Sequence, residues 1–95
     1  MPNQPQEMQV KITDDVLKGI YSNNVSIMLG KEEFVLDFMT MTPPQGIVTA
    51  RVYLNPSHAK RLAKVLQDNV KKYEDQFGAI TEGSQNTGEI GFKTE

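Results

Sequence analysis

The sequence predicts an α+β fold: a four-stranded antiparallel β-meander with one long C-terminal α-helix packed across one face. Three observations lead there. From Asn55 to Gly78 the apolar residues recur in steps of three and four, which is the period of one helical face. From Glu7 to Leu54 they alternate, in runs separated by short turn-forming stretches. Each run has an apolar side that needs a cover, and the helix stripe is the one candidate for it.

The first strand is Glu7 to Thr13, with Met8, Val10 and Ile12 on one side and Gln9, Lys11 and Thr13 on the other. Asp14 and Asp15 open a turn or a single helical turn through Val16, Leu17 and Lys18, which Gly19 ends. Ile20 to Leu29 is the second strand. Tyr21, Val25, Ile27 and Leu29 share a side, and Asn23 breaks the pattern. Gly30 and Lys31 connect it tightly to the third strand, Glu33 to Met41. There Phe34, Leu36 and Phe38 oppose Val35, Asp37, Met39 and Met41. The stretch Thr42-Pro43-Pro44-Gln45-Gly46 is a turn, because proline fixes its backbone angles. Ile47 to Leu54 is the fourth strand, with Val48, Ala50, Val52 and Leu54 on one side and Ile47, Thr49, Arg51 and Tyr53 on the other. Short links between successive strands favour antiparallel neighbours.

The helix has a start and a stop. Asn55 can accept from the free N–H groups of a first turn, and Pro56 suits the first helical position, where no N–H is needed. The stripe runs through Ala59, Leu62, Ala63, Leu66, Val70, Tyr73 and Phe77, and Gly78 suits the left-handed turn after a last turn. A helix of about 22 residues is about 33 Å long, close to the reach of strands of eight to ten residues.

Domain organisation follows. Residues 1–6 are expected to be disordered, 7–78 to form one domain, and 79–95 to form a flexible tail rich in Gly, Ser, Thr, Gln and Asn. Within the tail, Glu89 to Lys93 alternates weakly and could add a strand to a sheet edge.

Composition excludes several functions. With no cysteine there is no disulfide scaffold, thiolate metal site or cysteine nucleophile, and the composition fits a reducing cytoplasm. No apolar run approaches the roughly 20 residues of a membrane span, and Met1 to Glu7 lacks the features of a secretory signal. Ten basic and twelve acidic residues give a formal charge of −2, which makes no electrostatic case for nucleic acid or an anionic membrane.

No catalytic, cofactor-binding or metal-ligating set emerges. His58 is the single histidine and lies in the first helical turn without a partner at ligand or triad spacing. The serines lack a nucleophile-elbow context, and Asp14 with Asp15 reads as a cap. The glycines match no phosphate-binding loop. Lys60, Arg61, Lys64, Lys71 and Lys72 form a solvated helix face with no aromatic residue interleaved to stack bases. The unexplained feature is the sheet face turned away from the helix. It carries Ile20, Met28, Val35, Met39, Met41, Ile47 and Tyr53, more apolar surface than a solvent face needs. These residues are the candidate protein interface. The partner expected there is a second copy, giving a dimer or higher oligomer, or another protein or peptide. Nucleic acid on the basic helix face is the alternative reading.

The segments Gly19-Ile-Tyr-Ser-Asn-Asn, Glu33-Phe-Val-Leu-Asp-Phe, Ala50-Arg-Val-Tyr-Leu-Asn-Pro-Ser-His-Ala-Lys-Arg-Leu and Leu66-Gln-Asp-Asn-Val-Lys-Lys-Tyr-Glu-Asp-Gln-Phe-Gly occur in that order. Over residues 7 to 80 they resemble a family of small bacterial and archaeal proteins named as domain of unknown function 3467. The resemblance implies a short domain of this plan and brings no catalytic residues. The plan is also similar to a subunit of the export chaperone SecB, antiparallel strands followed by a long helix, and implies by analogy a chain that binds polypeptide through an oligomeric apolar surface. The expectation is a non-enzymatic cytoplasmic protein acting through homo-oligomerisation and protein contact.

Overall fold

A computed structural model describes residues 7–83. The expectations for residues 1–6 and 84–95, including the added strand at Glu89 to Lys93, lie outside the described residues. The element order is α1 (Asp14–Leu17), β1 (Asn24–Leu29), β2 (Phe34–Thr42), β3 (Gln45–Leu54) and α2 (Pro56–Phe77). Among the described residues the sheet is antiparallel with three strands in the order β1-β2-β3, and the fourth predicted strand is not among them. Glu7 to Thr13 alternates as a strand should, but it pairs with nothing in the sheet, and Val10 is 92% exposed. Alternation gives a segment two unlike sides; it does not supply an edge to pair with.

The single helical turn forms as expected. The Thr13 hydroxyl accepts from the Val16 N–H, and Gly19, at φ 78°, donates its N–H to the Val16 carbonyl. The second predicted strand begins late, at Asn24. Before it, side chains take over the ladder. The Asn23 carboxamide accepts from the Met41 N–H at 2.8 Å and donates to the Met41 carbonyl at 3.1 Å. Ser22 Oγ donates to the Met39 carbonyl, and Thr40 Oγ1 to that of Tyr21. Asn23 breaks the apolar alternation because its amide copies a peptide group.

The turn between β2 and β3 is tighter than predicted. Only Pro43 and Pro44 lie between the paired residues Thr42 and Gln45, and their peptide bond is cis. Gly46 therefore belongs to β3. A Cβ there would press on Met41 Sδ, so the flexible Met41 side chain lies over this glycine. Further along, Phe38 pairs with Ala50 but Met39 pairs with Val48. Thr49 is the extra residue of this bulge, and its hydroxyl donates to the Phe38 carbonyl.

The helix has the predicted ends. Asn55 Oδ1 accepts from the His58 N–H at 2.7 Å, Pro56 is the first helical residue, and the Gly78 N–H donates to the Glu74 carbonyl. Its predicted packing across the sheet is not what a single chain shows. No residue of α2 is buried. Only the first half of the stripe, from Ala59 to Leu66, faces the sheet, and it does so across an open gap. Val70 and Tyr73 are exposed, and Phe77 is 67% exposed against the Tyr73 ring at 4.9 Å. The buried apolar residues among those described are Leu36, Met39 and Leu54. Among the described residues no helix is long and apolar enough to cross a membrane.

Candidate protein interface

Strand register sorts the side chains into two faces, because residues opposite each other in an antiparallel pair share a side. On the face away from the helix, Asn24, Ser26 and Met28 of β1 pair with Met39, Asp37 and Val35 of β2, which pair in turn with Val48, Arg51 and Tyr53 of β3. Six of the seven predicted residues lie in the strands, and the bulge moves one of them. The extra residue Thr49 inverts the alternation beyond it, so Ile47 stands opposite Thr40 on the helix side and Val48 takes its place. Ile20, the seventh, precedes β1 and is outside the sheet. Met28 and Tyr53 are exposed, Val35 and Met41 are half-buried, and Met39 is only 5% exposed.

The centre of this face is an ion pair. Asp37 and Arg51 are cross-strand partners, and the guanidinium grips the carboxylate through two parallel bonds, Nε to Oδ1 at 2.6 Å and Nη2 to Oδ2 at 2.7 Å. Such forked contacts are among the stronger polar interactions available to side chains. The hydrogen bond from Arg51 holds the Asp37 carboxyl below the ordinary carboxylate range, against the opposing effect of burial. Asp37, with Tyr53 beside it, raises the Arg51 pKa. Asp37 is only 8% exposed. Met28, Val48 and Tyr53 stay exposed around this covered centre. The pattern of alternation gave no sign of the ion pair, although opposite charges in register were readable once β2 and β3 were paired.

The helix side is the more open one. Its strand wall is Val25 and Ile27 of β1 with Leu36 and Phe38 of β2. Its helix wall is Ala59, Leu62, Ala63 and Leu66. Between the walls lies a groove of about 290 Å³ lined by apolar side chains. Native interiors rarely leave voids larger than a water molecule, and an apolar lining gives water no partners there. Ile27, on the rim, is 52% exposed. From sequence, the matched lengths of strand and helix make this side look covered.

The remaining candidates stay apart. His58 contributes its backbone N–H to the helix cap. On the basic helix face, Arg61 donates to Ser57 Oγ, and Lys71 lies 3.8 Å from Asp75. Among the described residues no group of three or more His, Cys, Asp or Glu side chains is placed to hold a metal ion.

A family model described as a protein of unknown function (DUF3467) matches residues 1–82, most of the chain. The chain belongs to the DUF3467 family. No curated protein and no solved structure matches it, so the likeness to the SecB subunit gains no support. The DUF3467 match spans all the elements described above, from α1 to α2, so the groove and both sheet faces are built from family sequence.

Proposed function

We propose that this chain is a non-enzymatic protein that works by contact with other protein, first of all with copies of itself. The observation that carries the reading is a 22-residue amphipathic helix with no buried residue, standing beside an apolar sheet face that it leaves open. Exposed apolar surface on this scale is costly for a lone chain and marks an interaction site. A chain of 95 residues has little core to spare. The cysteine-free composition goes with a reducing compartment, and we place the protein in the cytoplasm on that ground.

Light scattering on the purified full chain across a concentration series tests the reading. The expected result is a mass that is a whole multiple of 10.7 kDa. A mass of one chain at every concentration, together with a cooperative thermal transition, would overturn the self-association.

A further inference from the structure

We infer that the helix of one copy completes the core of another: in a two-fold dimer, the outer half of each α2 stripe lies on the apolar sheet face of the partner subunit. The inference rests on the self-association proposed above and goes further by stating which surfaces meet.

The first argument concerns the helix's own sheet. Only Asn55 separates the last residue of β3, Leu54, from the first residue of α2, Pro56. That residue is tied into the first turn by its bond to the His58 N–H, and Pro56 fixes its own backbone angle. Beyond Pro56 the helix contains neither glycine nor proline, and without such residues helices seldom kink sharply. The angle at which α2 leaves the sheet is therefore set at Asn55 and carried along the rod. Val70, Tyr73 and Phe77 accordingly stand exposed, beyond the part of the helix that lines the groove of the same chain.

The second argument is complementarity within one chain. The outer stripe is a narrow apolar ridge without a groove, and the sheet side is an apolar groove without a full ridge. A two-fold axis satisfies both at once, because each copy gives what it lacks and receives the same in return. The third argument is area. Val25, Ile27, Leu29, Ile47 and Val52 on the sheet, with the stripe from Leu66 to Phe77, are all exposed. Each about half exposed, these side chains together present several hundred Å² per chain, on the order of the roughly 800 Å² per partner of a standard stable interface. The basic residues Lys64, Lys71 and Lys72 lie off the stripe and stay in water at the rim.

The absence of cysteine makes the test clean. Full-length Tyr73→Cys chains are mixed with full-length Ile27→Cys chains carrying a mass tag, and a short thiol-reactive cross-linker is added after subunit exchange. The expected product is a cross-link between the two kinds of chain. A parallel mixture with Met28→Cys, on the opposite sheet face, gives none. A cross-link through Met28→Cys but not Ile27→Cys overturns the inference while leaving self-association intact. So does a Tyr73→Cys/Ile27→Cys double variant that closes within one chain, since the helix would then cover its own sheet. An uncross-linked chain that scatters as a monomer removes both readings. Val70→Glu, which touches nothing in its own chain's groove, gives an independent check: the mass falls by half at unchanged helix content. An unchanged mass argues against the seat proposed for the outer stripe.

Discussion

On one face of the sheet Asp37 and Arg51 grip each other across β2 and β3, and Met39 beside them is almost sealed. On the other, Val25 and Ile27 of β1 and the outer stripe of α2 lie open to solvent. Both faces keep exposed apolar side chains at their edges, Met28, Val48 and Tyr53 on the first and Val25, Ile27 and Val52 on the second. The difference is what closes the centre. On the first it is the forked ion pair with Met39, because a long arginine can fold over adjacent strands. On the second it is Leu36 and Leu54, with short β-branched side chains standing open around them.

The largest effect expected from breaking this contrast is at Leu36, which with Leu54 is buried on the open side. Leu36→Ala should cost about 2–5 kcal/mol in a denaturant titration, the usual range for a buried leucine truncated to alanine. A cost under about 0.5 kcal/mol would mean that the groove is already too loose for Leu36 to matter.

On the closed face the sensitive point is charge. Because the Asp37 carboxyl titrates below its unfolded value, the ion pair stabilises the fold at pH above the ordinary carboxylate pKa of about 3.9. That contribution is lost as pH falls through the lowered pKa. Arg51→Ala leaves Asp37 without its forked partner in a covered position and should lower Tm at neutral pH. It should also flatten the dependence of Tm on pH between about 2 and 5 relative to the unaltered chain. Thermal melts across that range check both, and parallel curves would show that the pair contributes nothing through protonation.

The smallest effect should come at Gly46→Ala. The new Cβ would displace only the flexible end of Met41, and alanine also restricts the unfolded chain. The two effects oppose each other, so the net change should stay within about 0.5 kcal/mol by chemical denaturation. A larger loss would show that Met41 is held as firmly as Met39.

Much of the fold was readable because the deciding chemistry is local. Asn55 and Pro56 set the helix start, Gly78 its end, and Thr13 with Gly19 the short helical turn, each through groups a few residues apart. Three features were not readable, and each depends on a distant partner. Glu7 to Thr13 has the right alternation for a strand, but alternation does not choose a partner, and the segment pairs with neither outer strand of the described sheet, β1 nor β3. The bulge at Thr49 exists only relative to β2, and it carried Ile47 to the other face. The helix stripe was assigned to the sheet of its own chain on the basis of matching lengths. Length does not encode the direction in which the helix leaves the sheet, and the outer half of that stripe, Val70, Tyr73 and Phe77, stays exposed.

The Asn23 carboxamide bears on how this sheet avoids growing in the wrong place. β2 runs past the start of β1, and the peptide groups of Met41 would otherwise form a ledge on which a stray strand could dock. Both hydrogen-bonding groups of Met41 are already engaged by that one side chain. A side-chain amide cannot pass the ladder on as a backbone does, so pairing stops at this corner. The residue that looked like a flaw in the strand pattern is thus the cap that closes this ledge.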